Sequence, residues 1–281
     1  MTVLRSLLEL NEWRAQIGEQ TLGFVPTMGA LHRGHISLVE QSLSMADLTL
    51  VSIYVNPTQF NNAEDLEKYP STLEQDLTLL SATGDVVVYL PTQNDLYPNG
   101  LHSRNFDFRS LGTFMEGAGR PGHFEGMATV VTRFFEIIRP HHAFFGEKDY
   151  QQLAIIKQVV ADENWPVEII ACATLREDDG LAMSSRNLRL SAEQRSAAKE
   201  IHRIISRWIS NTDFNATTPQ TARITLIENI NSIAHLEVEY LEFSASNTLI
   251  PVDRFDLNVP TRVFAAVMCG KVRLIDNLPL F

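Results

Sequence analysis

Short apolar runs alternate with helical patterns from the start of the chain to Cys172. Strand-like runs fall at residues 21–26 (TLGFVP), 48–55 (LTLVSIYV), 85–90 (DVVVYL), 143–146 (AFFG) and 166–172 (PVEIIAC). Several are apolar without a break, as strands buried on both faces of a parallel sheet must be. Between them, residues 34–45, 72–81, 127–138 and 150–162 carry helix-like patterns. This alternation predicts an α/β fold, a Rossmann-like doubly wound parallel sheet with right-handed crossovers. Ligands of such sheets sit at the carboxyl ends of the strands. The opening MTVLRSLLELNEWR spreads charges through a short apolar pattern. It predicts an amphipathic helix rather than a secretory signal.

After Thr174 the rhythm changes. A polar stretch at 176–187 (REDDGLAMSSRN) precedes a helix that should begin near Ser191. Ser191 with Gln194 three residues later has the form of a capping box. A second helix is expected over 219–233, then short strands near 237–243, 262–268 and 271–275. The division expected is a Rossmann-like domain over 1–174 and a smaller α+β domain over 175–281, closing over the nucleotide site. No Gly/Ser/Pro-rich linker marks the boundary, and no internal repeat interrupts the pattern.

Composition narrows the function classes. The chain has 281 residues, 44% hydrophobic and 20% charged, an ordinary globular balance. No run approaches the roughly 18 uncharged apolar residues of a membrane-spanning helix. A net charge of −11 argues against a nucleic-acid partner, whose binding needs a basic face. It does not argue against ATP, which a few local donors at a helix N-terminus can hold. The two cysteines, Cys172 and Cys269, lie in apolar runs and read as buried, reduced thiols of a cytoplasmic protein.

Four motifs carry candidate chemistry. The first, PTMGALHRGH at 26–35, leaves a predicted strand and enters a predicted helix. His32 and His35 are three apart and share one side of the first turn. Gly34 keeps the backbone open between them, and the helix start adds unpaired N–H groups and a positive dipole end. Two imidazoles there suit a polyphosphate whose charge grows as a bond breaks. An isolated H-x-x-H is equally a pair of packed histidines. Zinc would need a third ligand, and no Cys/His cluster accompanies the pair. The second motif, VNPTQF at 55–60, offers Asn56 and Gln59 as uncharged donor–acceptors aimed by Pro57, suited to reading the hydroxyls of a small acid. Taken alone it is also an ordinary polar turn. The third, GEKDYQQ at 146–152, ends a strand. Lys148 is a point charge for phosphate and Asp149 can accept from ribose hydroxyls or cap a helix; a surface charge pair is the alternative. Gln151 and Gln152 open the next helix, and one of them can face a pocket. The fourth, DGLAMSSRN at 179–187, supplies two hydroxyls and the forked cation of Arg186, or else is a capped loop.

HxGH opening the first helix resembles the signature of a nucleotidyltransferase superfamily that includes class I aminoacyl-tRNA synthetases. The longer string PTMGALHxGH, with the other three motifs in order, is similar to the pantothenate synthetase family. The resemblance covers nearly the whole chain and weakens in the C-terminal part, where only GKVRLIDNL is strongly family-like.

The resemblance implies an ATP-dependent ligase. It would condense (R)-pantoate with β-alanine through a pantoyl-adenylate and release AMP and pyrophosphate. It implies Mg²⁺ with ATP as co-substrate, no tightly bound organic cofactor, and a homodimer. Catalytic roles fall on His35, His32, Lys148 and Arg186. ATP contacts fall on Met28, Gly29, Ala30, Leu31, His32, Arg33, Gly34, His35, Gly146, Glu147, Lys148, Asp149, Leu175, Met183, Ser184, Ser185 and Arg186. The stretch holding Met183 and Arg186 resembles the KMSKS loop of the superfamily. Gln59, Gln152 and Asn56 would bind pantoate and β-alanine, and Asp76, within the acidic run 63–77, would help hold the Mg²⁺. Arg120 and His123 of GRPGHFEGM match the family pattern without an assigned role, in a Gly-rich segment suited to forming a mobile wall. Another HxGH cofactor nucleotidyltransferase is the alternative; NPTQF and GEKDYQQ separate the two.

Overall fold

A computed structural model describes residues 1–61, 66–67 and 69–281, so part of the acidic run at 63–77 lies outside the described residues. Two compact units emerge. The first comprises Met1–Phe108, Arg120–Glu147 and Gln152–Ala173; the second comprises Arg109–Gly119, Lys148–Gln151 and Thr174–Phe281.

The first unit is built on six parallel strands: β1 (Thr2–Leu4), β2 (Leu22–Thr27), β3 (Leu48–Ile53), β4 (Val87–Tyr89), β5 (His142–Gly146) and β6 (Glu168–Cys172). Their order is β1-β4-β3-β2-β5-β6, so the winding reverses between β2 and β5. That reversal opens a crevice at the carboxyl ends of these two strands. Its helices are α1 (Leu7–Gln16), α2 (Arg33–Met45), α3 (Leu73–Thr83), α4 (His123–Ile138) and most of α5 (Tyr150–Asp162). Alternation within the strands sends Val25, Val51, Val88 and Phe144 into one core with Ile36 and Val39 of α2 and Leu80 of α3. Phe24 points to the opposite face, its ring 5.3 Å from that of Phe134 on α4. Both faces are therefore covered, which is why several of these strands read as unbroken apolar runs.

The chain's opening differs from its expected single helix. Thr2–Leu4 pairs with β4, and α1 begins only after Ser6, whose side chain accepts from the Glu9 N–H at 3.2 Å. β-branched Thr2 and Val3 favour the strand, and Ser6 followed three residues later by Glu9 caps the helix.

In the second unit, β7 (Leu236–Ala245), β8 (Thr261–Cys269) and β9 (Val272–Pro279) form an antiparallel sheet in that order. One face packs on α6 (Ala192–Asn211) and α7 (Pro219–Asn231) through Ile201, Ile205, Leu226 and Ile230 against Val263, Ala265, Val267 and Leu274. The Ser191–Gln194 capping box forms as read, starting α6. Cys172 and Cys269 are both buried and free. Burial pushes the Cys172 thiol up to about 11. Among the described residues no helix is long and apolar enough to cross a membrane.

Candidate active site

The loop from β2 into α2 is fixed by a buried carboxylate. Asp76, 2% exposed on α3, accepts from Ala30 N–H at 3.0 Å, Leu31 N–H at 2.8 Å and Thr72 Oγ1 at 3.2 Å. Gly29 sits at φ +80, and Ala30 at φ 50 accepts a left-handed conformation that is costly for a side-chain residue. The two carboxylate bonds hold that turn in place. A Cβ at Gly29 would also lie 3.1 Å from Asp76 Oδ2, so glycine serves both the turn and the approach.

His32 and His35 form a reciprocal cap through their Nδ1 atoms. His32 is the N-cap of α2; its Nδ1 accepts from Gly34 N–H at 3.1 Å, and His35 Nδ1 accepts from His32 N–H at 3.3 Å. The ring centroids are 4.0 Å apart. With both Nδ1 atoms accepting, each neutral ring carries its proton on Nε2. The Gly34 and His35 amides, expected to be left for a phosphate, are turned inward: His35 N–H donates to His32 O at 2.8 Å. Arg33 lies on the outer surface and pairs with Glu40 at 2.7 Å.

The NPTQF turn lies in the same unit and meets this loop where Gln59 Nε2 donates to Met28 Sδ at 3.0 Å. Asn56 is 1% exposed. Its amide donates to Gln59 Oε1 and Gly126 O, both at 3.1 Å, and its oxygen accepts from Tyr97 OH at 2.6 Å and Thr58 Oγ1 at 3.1 Å. All its polar capacity is taken up by protein groups, so its visible action is to orient Gln59. Arg120 and His123 act on the backbone of the same residue. Arg120 can only donate, so His123 Nε2 accepts from it at 3.1 Å, and His123 Nδ1–H donates to Gln59 O at 2.8 Å. Gly126 lets α4 touch the turn: a Cβ there would lie 2.3 Å from Thr58 O. Tyr97 and Gly126 were not read as site residues. A glycine inside a helical pattern was the one available signal for Gly126; nothing local marked Tyr97.

The GEKDYQQ stretch divides between the units. Gly146 ends β5 and Glu147 follows it in the first unit, with Gln152; Lys148, Asp149 and Gln151 belong to the second. Lys148 and Asp149 do form a pair, at 3.6 Å. Gln151 is the glutamine that turns inward, donating to Leu111 O at 2.7 Å and Phe114 O at 2.9 Å and accepting from Glu116 N–H at 3.1 Å. The Gln152 side chain makes no hydrogen bond among the described residues.

The loop beyond β6 is a narrow turn closed by Met183 N–H to Leu175 O at 3.1 Å and by a bridge between Arg176 and Ala182. Asp179 forks onto Arg195 of α6 at 2.7 and 3.1 Å, and the Arg195 bonds hold its carboxyl below the ordinary range. Ser184 caps the 3₁₀ turn Ser185–Arg189 by accepting from Arg186 N–H at 3.3 Å. Among the described residues no three His, Cys, Asp or Glu side chains gather as a metal cage.

The comparisons with known proteins agree along the full length. The sequence matches the pantoate-beta-alanine ligase family over residues 2–279. It is 44% identical over 280 residues to the pantothenate synthetase of Porphyromonas gingivalis, covering 99% of each chain. It is 46% identical over 262 residues to that of Christiangramia forsetii, covering 93% of this chain and 92% of the other. Among solved structures, the Thermus thermophilus pantothenate synthetase aligns with a TM-score of 0.90 at 37% identity over 100% of both chains. The Francisella tularensis pantoate-beta-alanine ligase, complexed with beta-gamma ATP and beta-alanine, aligns with a TM-score of 0.85 at 37% identity, covering 100% of this chain and 98% of that one. The chain belongs to the pantoate-beta-alanine ligase family.

Proposed function

We propose that the chain joins (R)-pantoate to β-alanine in two steps driven by ATP. In the first, a pantoate carboxylate oxygen bonds to the α-phosphorus, the bridging α–β P–O bond breaks, and pyrophosphate leaves. In the second, the β-alanine amine bonds to the acyl carbon of the pantoyl-adenylate, the acyl C–O bond breaks, and AMP leaves. Carboxylates are weak nucleophiles, so positioning and charge neutralisation supply most of the acceleration.

The observation that carries this reading is the histidine cap at a strand end beside the reversal of the sheet. Each ring is pinned through Nδ1, which directs an Nε2–H donor away from its own backbone. Such preorganised donors suit the charge that grows on the departing pyrophosphate. Lys148, Ser184, Ser185 and Arg186 are assigned to the same phosphates, and Met28–Leu31, Gly146, Glu147, Asp149, Leu175 and Met183 to the rest of ATP. Gln59 is assigned to both pantoate and β-alanine, with Asn56 orienting it, and Gln152 to pantoate. Mg²⁺ arrives with ATP as part of the substrate, needing only one or two carboxylates. Asp76 fits that role with its remaining Oδ2 lone pair, since three bonds already occupy the rest. A cytoplasmic homodimer is proposed on the family resemblance.

The test supplies ATP, Mg²⁺ and labelled pyrophosphate with and without pantoate. Label should enter ATP only when pantoate is present. Exchange without pantoate, or none with it, would overturn the reading.

A further inference from the structure

The C-terminal strand carries polar residues where a packed edge strand has no need of them. β9 reads VRLIDNLP and pairs on one side only, with β8. Asp276 is 7% exposed and Asn277 is 4% exposed. An apolar strand would pack as well or better, because a buried ion pair is weak evidence for stability. Both side chains instead reach segments that carry the phosphate-binding residues of the second unit.

Asn277 donates through Nδ2 to the carbonyl oxygen of Lys148 at 2.9 Å and accepts through Oδ1 from Arg262 Nε at 2.9 Å. A carbonyl only accepts and an arginine only donates, so one orientation of the amide satisfies both. Arg262 also lies over the ring of Tyr150, 4.2 Å from its centre, two residues beyond Lys148. The backbone under Lys148 is thus held from β8 and β9 together. Asp276, on the other face of the strand, forks onto Arg176 at 2.7 and 2.8 Å. Arg176 in turn donates to Gly180 O at 3.1 Å and bridges to Ala182, whose carbonyl accepts from Asn187 Nδ2 at 3.1 Å. Those contacts close the loop that ends in Ser184, Ser185 and Arg186. The Ser185–Arg189 turn itself packs on β9.

We propose that β9 is the positioning strand of the second unit, with Asn277 setting Lys148 and Asp276 setting the 176–186 loop for phosphate. This rests on the ligase reading above. Neither residue touches substrate; each acts through a neighbour. The expected cost of losing such a residue follows from the steepness of reaction geometry, where a misplacement of about 1 Å costs on the order of 100-fold.

Asn277→Asp is the sharp variant: nearly isosteric, it keeps the acceptor for Arg262 and puts an oxygen against the Lys148 carbonyl. Asn277→Ala is the second variant should the first not fold. Pantoate-dependent exchange is measured for each alone and combined with Lys148→Ala, together with backbone hydrogen exchange across 146–152. The expected result is a fall in kcat of about 10- to 100-fold in the parent, with little change in KM for ATP. The same change should have almost no effect once Lys148 is alanine, and the amides of 148–151 should exchange faster while those of α6 do not. Asp276→Asn paired with Arg186→Ala should be non-additive in the same way. Equal losses with and without Lys148, or unaltered amide exchange at 148–151, would overturn the proposal. If the parent itself shows no pantoate-dependent exchange, the ligase reading falls, and amide exchange still decides whether Asn277 holds Lys148.

Discussion

The loop after β2 and the loop after β6, both assigned above to phosphate, are held in place by opposite means. The first is held by a buried carboxylate on backbone amides and by two histidines that cap one another. The second is held by arginine–carboxylate forks, Arg176 with Asp276 and Arg195 with Asp179. The Asp76 clamp grips main chain, so it fixes the turn itself and is shielded from salt. The Asp179–Arg195 fork is about one-third exposed on each side, so it is worth little in water and yields to pH and salt. The Arg176–Asp276 fork is the buried one, so the second loop combines a firm anchor on β9 with a weak, exposed one on α6.

Substitutions at four positions break or sharpen that contrast. His35→Ala should slow pantoate-dependent adenylation by about 100- to 1000-fold, the scale of a lost transition-state donor. A single-turnover measurement reads the first step directly, and an unchanged rate would remove this ring from it. Asp76→Ala leaves the Ala30 and Leu31 amides without their acceptor and should cost about 3 kcal/mol in a denaturant melt. Asp76→Asn should recover part of that, because its side-chain oxygen still accepts. If both variants melt like the parent, the clamp is not what holds the loop.

Gly126→Ala drives a Cβ to 2.3 Å from Thr58 O. It should cost about 1–3 kcal/mol by overpacking and raise KM for pantoate, since the Thr58–Gln59 turn must shift. A KM equal to the parent's would uncouple that turn from substrate. The smallest effect belongs to the second loop. Arg195→Ala should cost less than about 1 kcal/mol. The sign of its pH dependence follows from Asp179, whose folded carboxyl is held low by hydrogen bonds from Arg195 and from the Leu181 amide. Its contribution is complete above the unfolded value near about 4 and fades as pH falls through the folded one. Comparing parent and variant melts at neutral pH and at low pH should show the gap closing in acid; a gap that widens would contradict the assignment.

Much of this was legible in sequence, for identifiable reasons. Largely apolar runs marked β2 to β6, most cleanly in the central strands, where both faces of the sheet are covered. Ser191 and Gln194 marked the start of α6 because capping is local. What was misread was also local in form: residues 2–4 sit next to a helix pattern and were absorbed into it, although only pairing with β4 makes them a strand. The helix-start amides of α2 were taken as available because nothing in HxGH says that the histidines themselves will use them.

The sequence by itself determined the strand–helix alternation, the four motifs and their order, and through them the family. These depend on periodicity, capping and short spacings, which act over a few residues. Only the tertiary structure decided how each polar side chain is used. Asn56 orients Gln59 and reaches Gly126, 70 residues away. Gln151, not Gln152, turns inward to Leu111, 40 residues away. Asn277 meets the Lys148 carbonyl across 129 residues. A donor or acceptor must be satisfied once buried, but which partner satisfies it depends on where the folded chain returns, and no local pattern records that path.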